Sequence, residues 1–341
     1  MPTLYLNGHL SEARLDGKCI EVSRADTAKD TVVTMRVPFH DLERVVVIGQ
    51  ASFTTPLLQK LAGEGIPLHL ISGHGRWLGA FYPNANGHAL RRLRQYDLAR
   101  DGHFSLDIAV RAVAAKIRNS RRVLQRLAAS RDGSADAKHL DACNSLQALA
   151  RQAEAVETFE SLRGYEGYAA AIYFDRLARY FPEDAPFNGR NRRPPKDAAN
   201  ALLSWSYTIV LSEIDAAVRS AGLDPCLGFL HEISYGRPSL SLDLLEPLRA
   251  PLCDMLVLRL LNHKLLRAAE HFETSAEDGG IYLNAEGRRA FFPEYERTMQ
   301  RRFAESKGAP HTDFRLAIRE QVNALLRTME NREEMRLFVM P

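Results

Sequence analysis

The chain has 341 residues, enough for two or three domains, and with 45% hydrophobic and 26% charged residues its composition is ordinary for a soluble globular protein. A net charge of +3 is too small to indicate nucleic-acid binding by itself, so such a function must rest on where the basic residues lie. The four cysteines form no CxxC pair, which argues against a zinc ribbon or a disulfide framework and favours a cytoplasmic setting, and no apolar run approaches the ~20 residues that span a membrane.

The first 88 residues alternate short apolar runs with turn residues, a pattern typical of a strand-rich domain. A continuous apolar run occupies residues 45–48, and one helix is predicted over residues 54–64. The Ser-Gly-His-Gly motif at residues 72–75 lacks the spacing of a phosphate-binding loop, so we expect a plain turn there. We therefore predict an α+β protein that begins with a sandwich-like β domain, whose open sheet edges favour packing against a second copy.

Strand-like alternation stops near residue 87, and residues 89–341 have the helical periodicity of a larger all-α domain. Its first part, residues 91–126, holds ten Lys or Arg against three Asp, a local net charge of +7. Most charge runs are solvated helix faces. The sign bias makes contact with phosphate groups an equally good interpretation, and the sequence leaves the two open.

A second basic stretch lies within residues 182–196, where four cations fall within seven residues beside two adjacent prolines. These cations are Arg190, Arg192, Arg193 and Lys196. Asp197 then has the position of an N-cap for an apolar helix over residues 198–221. A rigid basic loop that leads into a helix N-terminus suits phosphate binding, whereas a disordered basic loop is the alternative.

Glu166 lies between Gly164 and Gly167 inside a helical pattern. Each glycine should cost a helix about 1 kcal/mol relative to alanine, so close approach of another backbone or of a ligand is expected to offset that cost. A carboxylate held between the two glycines would project from a thin, accessible helix surface. The alternative is a helix-packing notch with a solvated glutamate.

His231 lies ahead of a leucine-rich segment that holds two acidic residues, Asp243 and Glu246. The pattern is not the HExxH of a zinc protease. Asp243 and Glu246 are three residues apart and would share one face of a helix. Pro247 and Pro251 remove backbone donors from that helix, so it should bend or restart at the acidic pair.

Glu166, His231 and the acidic pair together offer a mixed oxygen and nitrogen site. A donor set with oxygen dominant favours Mg²⁺ or Mn²⁺ over a structural zinc ion. Such a site beside basic loops suits phosphodiester chemistry, in which a metal polarises the phosphate and stabilises the charge that develops.

Three blocks of sequence, in this order, resemble the CRISPR-associated protein one family, the integrase of spacer acquisition. They are GYEGYAAAIYF at residues 164–174, FNGRNRRPPKDAANALLSWSY at residues 187–207 and GFLHEISYGRPSLSLDLLEPLR at residues 228–249. A weaker match at residues 281–291 extends the resemblance over nearly the whole chain.

The resemblance implies a β domain for dimerisation over residues 1–88 and a helical catalytic domain over residues 89–341. It implies a homodimer that assembles with CRISPR-associated protein two. The implied activity is that of a DNA endonuclease and integrase, which joins the 3′-hydroxyl ends of short duplex DNA to a CRISPR repeat by metal-dependent transesterification.

The resemblance also implies roles for single residues. The family's ligands for Mg²⁺ or Mn²⁺ are matched by Glu166, His231 and Glu246. Asp243 matches a nearby acidic position that supports activity, either as an alternate ligand or as a residue that contacts the ligands without binding the metal. Basic positions near the DNA path are matched by Arg190, Arg192, Arg193, Lys196 and Arg249.

Two other classes of protein use the same features. A catalytically silent DNA-binding scaffold needs the basic segments but no metal, and metal content at the acidic cluster separates it from the integrase. A structural all-α protein with an incidental acidic pocket would not bind DNA even at low salt.

Overall fold

The structure is a computed structural model that describes residues 3–7, 11–26, 31–83, 88–130, 135–191, 194–304, 310–331 and 333–341. It has a strand-rich N-terminal part and a mostly helical C-terminal part, as the sequence predicts. The N-terminal elements are β1 (Thr3–Asn7), β2 (Ser11–Asp16), β3 (Cys19–Asp26), β4 (Thr31–Pro38), β5 (Arg44–Ile48), β6 (Ala51–Phe53), α1 (Thr55–Gly63), β7 (Leu68–Ile71) and β8 (Trp77–Phe81).

Two four-stranded sheets form the N-terminal domain. One has the order β1-β5-β7-β8, with β8 antiparallel to β7 and the other neighbours parallel, and the second has the order β4-β3-β2-β6. Val45 and Val47 on β5 pack into the cluster that joins the two sheets and α1, whereas Val46 and Ile48 pack into the core of the helical domain. The first sheet is therefore buried on both faces, which explains the continuous apolar run of β5.

The remaining elements belong to the helical domain. They are α2 (Ala89–Arg100), α3 (Gly102–Ala129), α4 (Ala137–Glu154), α5 (Phe159–Ala178), α6 (Ala198–Ser220), α7 (Ser239–Leu245), α8 (Met255–Asn262), α9 (Ala268–His271), β9 (Phe272–Thr274), β10 (Ile281–Leu283), α10 (Ala285–Met299), β11 (Phe303–Ala304), β12 (His311–Thr312) and α11 (Phe314–Asn331). The domain is thus mostly helical rather than all-α, because β9 pairs with β10 and β11 pairs with β12.

The long helix α6 forms the centre of the helical domain. Asp197 caps it as predicted, since its carboxylate accepts a hydrogen bond from the backbone N–H of Asn200 at 2.7 Å. By length and composition α6 could cross a membrane, but 78% of its most apolar window is buried inside the fold. Its apolar character is that of a core helix.

The helix that begins as α7 changes character at the two prolines. A 3₁₀ turn follows at Glu246–Leu248, then a π-helical turn at Arg249–Asp254, and regular helix resumes as α8. Pro247 and Pro251 cannot donate the backbone hydrogen bonds that a regular helix needs. This confirms the prediction that the helix bends or restarts at Asp243 and Glu246. Glu246 itself lies on the irregular 3₁₀ turn.

The turn at residues 72–76 joins β7 to β8 and docks the β domain onto the helical domain. Gly75 has φ +81°, and a Cβ atom there would lie 2.7 Å from the ring of Trp205. The His74 ring stacks on Tyr282 at 4.5 Å between centroids, and Arg288 donates to the carbonyl of Gly73 at 3.0 Å. The motif is therefore a structural turn, as expected.

A buried ionic cluster also joins the two domains. Glu213 on α6 pairs with Arg44 on β5, and its Oε1 atom accepts a hydrogen bond from the Tyr295 hydroxyl at 2.8 Å. Arg315 Nη2 lies 3.4 Å from the same oxygen and 2.7 Å from Glu296 Oε1. The Glu213 carboxylate thus contacts a buried guanidinium group of the β domain, Arg44, and a largely buried one of the helical domain, Arg315.

We predict that Glu213→Gln lowers the free energy of unfolding by about 3–5 kcal/mol, because the buried Arg44 loses the carboxylate with which it pairs. The matched control is Glu64→Gln, which breaks the exposed pair of Lys60 and Glu64 and should cost about 1 kcal/mol or less. Urea unfolding followed by circular dichroism measures both variants. Equal losses would show that the cluster does not hold the domains together.

Candidate functional site

Glu166 from α5 and Glu246 from the 3₁₀ turn come together around a lysine of α3. The Nζ atom of Lys116 lies 2.5 Å from Glu166 Oε1 and 2.7 Å from Glu246 Oε2. Three separate elements therefore place two carboxylates on one ammonium group. Glu246 is buried, so its contact with Lys116 is an ion pair largely removed from water.

The His231 imidazole lies between Asp243 and Glu246. Its Nδ1 atom is 2.7 Å from Asp243 Oδ1, and its Nε2 atom is 3.8 Å from Glu246 Oε1. With its proton on Nδ1, the ring donates to Asp243 and turns the lone pair of Nε2 towards Glu246. Three of the predicted site residues, Glu166, His231 and Glu246, thus surround one region.

Asp243 fixes the backbone that carries His231. Its carboxylate accepts hydrogen bonds from the backbone N–H groups of Phe229 at 2.6 Å, Leu230 at 2.9 Å and His231 at 3.0 Å. Gly228 makes room for this arrangement, since a Cβ atom there would lie 2.7 Å from Asp243 Oδ2. With the imidazole bond added, both carboxylate oxygens are engaged, so Asp243 is placed to orient His231.

Glu246 is buried yet ionised. Burial raises the pKa of this carboxyl group, but Arg249, at 2.9 Å, and Lys116 outweigh burial and hold the pKa at about 2. Burial likewise lowers the pKa of the Lys116 ammonium, but Glu246 and Glu166 outweigh it and raise the pKa above its ordinary value. The site therefore contains fixed charges of both signs.

The donor set suits a hard divalent cation, but in this structure the Lys116 side chain occupies the space between the two carboxylates. Within the described ranges, no three His, Cys, Asp or Glu side chains lie close enough to hold a metal ion. The Lys116 ammonium instead stands where a cation would meet both carboxylates. Carboxylate oxygens together with one imidazole nitrogen, the donors present here, are the kind that Mg²⁺ or Mn²⁺ accepts.

A cavity of about 200 Å³ borders the site and is lined by Lys116, Glu166, Arg190 and Arg249, among others. The guanidinium carbons of Arg190 and Arg249 lie 5.3 and 4.7 Å from the ring centroid of Tyr207, which also lines the cavity. Tyr207 thus holds two cations beside the acidic residues. A phosphate group in this cavity would lie close to both positive charges.

Side chains of α6 hold the described part of the basic loop that precedes it. The backbone N–H of Asn191 donates to Asn200 Oδ1 at 3.1 Å, and Arg190 donates to the same oxygen at 2.7 Å. Lys196 is exposed. Arg192 and Arg193 lie outside the described residues.

Gly164 and Gly167 border open space. A Cβ atom at either position would meet no described atom within 4 Å. The described part of the chain therefore offers no packing neighbour to explain the pair, and the helix surface around Glu166 is free for a ligand to approach.

Sequence reasoning missed Lys116, which was counted in the basic segment but not singled out. Many cations of that segment have internal partners: Arg111 bonds to Asp107 at 3.0 Å, and Arg118 pairs with Glu154 at 2.5 Å. The available signal was one lysine within the apolar stretch of residues 112–117. A charge in such a position needs a buried partner.

Comparison with known proteins identifies relatives over nearly the whole chain. A sequence model described as CRISPR associated protein Cas1 matches residues 4–297. The chain is 35% identical over 314 residues to CRISPR-associated endonuclease Cas1 3 of Thermus thermophilus, and the alignment covers 92% of this chain and 88% of the relative.

Two solved structures share the fold. A chain of a Cas6-RT-Cas1–Cas2 complex matches with a TM-score of 0.81 and 27% identity over 98% of this chain, which spans only 36% of that longer chain. A casposase bound to an integration product matches with a TM-score of 0.82 and 23% identity, over 99% of this chain and 92% of that one. The second similarity bears on the fold alone.

We predict that Gly228→Ala lowers the free energy of unfolding by about 1–3 kcal/mol, because the added methyl group displaces Asp243 from the backbone that it holds. Gly102→Ala is the matched control, since a Cβ atom there meets no described atom within 4 Å. Chemical unfolding measures both variants, and NMR of the His231 ring reports its orientation. Wild-type stability and an unchanged His231 signal in Gly228→Ala would contradict the role given to Asp243.

Proposed function

The chain belongs to the Cas1 family of CRISPR-associated endonucleases and integrases, and from this premise we propose that it joins the 3′-hydroxyl ends of short duplex DNA to a CRISPR repeat by metal-dependent transesterification. The observation that carries the proposal is the meeting of Glu166, His231 and Glu246 beside a cavity lined by arginines. These are the three residues that the family resemblance implies as metal ligands.

Glu166, Glu246 and the Nε2 atom of His231 are the ligands that we propose for Mg²⁺ or Mn²⁺. When bound, the divalent cation would polarise the phosphodiester and stabilise the negative charge of an in-line displacement. Asp243 keeps the proton of His231 on Nδ1, so that Nε2 remains available. A neutral imidazole at this position is what metal binding requires.

The chain's other residues bind and position the DNA. Arg249 and Arg190 project into the cavity and would contact phosphate oxygens. Lys196, and with it Arg192 and Arg193, would extend the contact along the backbone. In the reaction, the 3′-oxygen of the incoming strand bonds to phosphorus, and the repeat's own bond from phosphorus to its 3′-oxygen breaks. The proton lost by the attacking hydroxyl group ends on the departing oxygen.

We further propose that the protein acts as a homodimer that assembles with CRISPR-associated protein two in the cytoplasm. The similarity to a chain of a Cas1–Cas2 complex supports the second partner. The strand β4 lies at a sheet edge and exposes Val32, Val33 and Met35, at 67, 57 and 46% of their surface. Exposure of such an apolar edge to water is unfavourable, and contact with a second β domain would bury it. The four cysteines are free thiols, in keeping with a reducing compartment.

A catalytically silent DNA-binding scaffold is the second candidate function. The observation that favours it is the salt bridge of Lys116 with Glu166 and Glu246, which already supplies both carboxylates with a cation. The two candidates differ in whether a divalent cation binds at Glu166, and the next experiment separates them.

Glu166→Ala should leave the fold intact and reduce strand joining at least about a hundredfold, since a metal ligand contributes several kcal/mol to the transition state. A gel assay of 3′-hydroxyl joining to a repeat duplex, with Mn²⁺ and with a chelator, measures the effect. Glu160→Ala, on the exposed first turn of the same helix, is the control and should retain wild-type rates. Wild-type joining by Glu166→Ala would refute the proposed function.

Gly167→Ala should separate stability from function. It should raise helix stability by up to about 1 kcal/mol, because the added methyl group meets no described atom, yet it should weaken DNA binding if the DNA backbone approaches this helix. Thermal unfolding and fluorescence anisotropy with labelled duplex measure the two effects. Gly63→Ala, at the end of α1 in the other domain, should leave DNA affinity unchanged. Unchanged affinity in Gly167→Ala would place the DNA elsewhere.

A further inference from the structure

In this structure the Lys116 ammonium is the cation that contacts both Glu166 and Glu246. It lies 2.5 Å from Glu166 and 2.7 Å from Glu246, and its side chain is only 21% exposed. Two carboxylates held this close together repel each other unless a cation lies between them. Lys116 therefore holds the two proposed ligands against a single cation.

The same contact opposes metal binding. A divalent cation that takes one oxygen from each carboxylate needs the space that the ammonium group fills. With Lys116 on one side and Arg249 at 2.9 Å on the other, the charges of Glu166 and Glu246 are already balanced by two cations. Little net attraction remains for a third cation until the lysine leaves.

The cavity beside the site is the space that the displaced ammonium can enter. Lys116 lines it, together with Arg190 and Arg249. Both guanidinium groups lie over the ring of Tyr207, so positive charge already borders this cavity. An ammonium moved into this cavity would join two like charges, which is unfavourable unless an anion accompanies it. A phosphate group of DNA is an anion of suitable charge.

We propose that Lys116 is a tethered counter-ion that couples cation binding to DNA binding: it occupies the carboxylates when both ligands are absent and moves to a DNA phosphate when the cation binds. This inference rests on the proposed function. Because the coupling is reciprocal, DNA should raise the affinity for the cation by the same factor by which the cation raises the affinity for DNA. The free protein would then hold the cation weakly.

The test is a titration with Mn²⁺ followed by electron paramagnetic resonance, with and without a duplex whose strands end in dideoxynucleotides and cannot react. The Glu166→Ala protein, with and without the duplex, gives the background of Mn²⁺ held elsewhere. In the wild type, the duplex should raise Mn²⁺ affinity at least about fivefold, the lower end of typical coupling. Lys116→Met without DNA should bind Mn²⁺ at least about fivefold more tightly than the wild type, and the duplex should add little.

Lys60→Met removes an exposed lysine that also pairs with a glutamate, and it should behave as the wild type. Lys116→Gln repeats the test should Lys116→Met fail to fold, as judged by circular dichroism. Mn²⁺ affinity in the Lys116 variants equal to or below that of the wild type, with the DNA effect intact, would overturn the inference and leave the proposed function standing. Binding no greater than the Glu166→Ala background in every protein would overturn the proposed function as well.

Discussion

A buried carboxylate stays ionised only where cations or hydrogen-bond donors compensate its charge, and the arrangement of this site follows from that constraint on Glu246. The residue lies on a 3₁₀ turn between α7 and a π-helical turn, and the break faces it towards α3 and α5. Arg249 and Lys116 supply the cations, and their charge offsets the cost of burial. The helix is irregular at this point because Pro247 and Pro251 cannot donate backbone hydrogen bonds.

The helix α6 connects the site to the rest of the molecule. Its N-terminus holds the basic loop through Asn200, and its middle carries Tyr207, whose hydroxyl donates to Asp254 on the π-helical turn at 2.6 Å. Further along, Glu213 binds the arginines that join the two domains. One buried helix therefore positions the cavity, the turn after Glu246 and the β domain relative to each other. In a dimer formed through the β domains, the same helix would fix the direction in which each site faces.

Several features of the fold could be predicted from the sequence because they depend on interactions between residues that are near each other in the chain. The change from strand to helix near residue 87, the cap at Asp197 and the helix break at Pro247 each depend on neighbouring residues. The short strands β9, β11 and β12 were missed, because two or three residues are too few to show a period. The three proposed ligands came from a family resemblance, since no local pattern shows that α5 and the turn after α7 meet. Lys116 stands out in the sequence only by its apolar neighbours, and its two carboxylate partners on other elements are known only from the structure.

The turn at residues 72–76 brings the β domain against Trp205 of the helical domain. The chain contains two tryptophans, and Trp205 packs against the Gly75 turn on one side and lies edge-on to Phe291, at 6.3 Å between centroids, on the other. If the β domain separates while the helices stay folded, water reaches one face of this indole. The emission wavelength of Trp205, recorded in a protein with Trp77→Phe, is then an optical signal for the opening of the domain boundary that needs no attached dye.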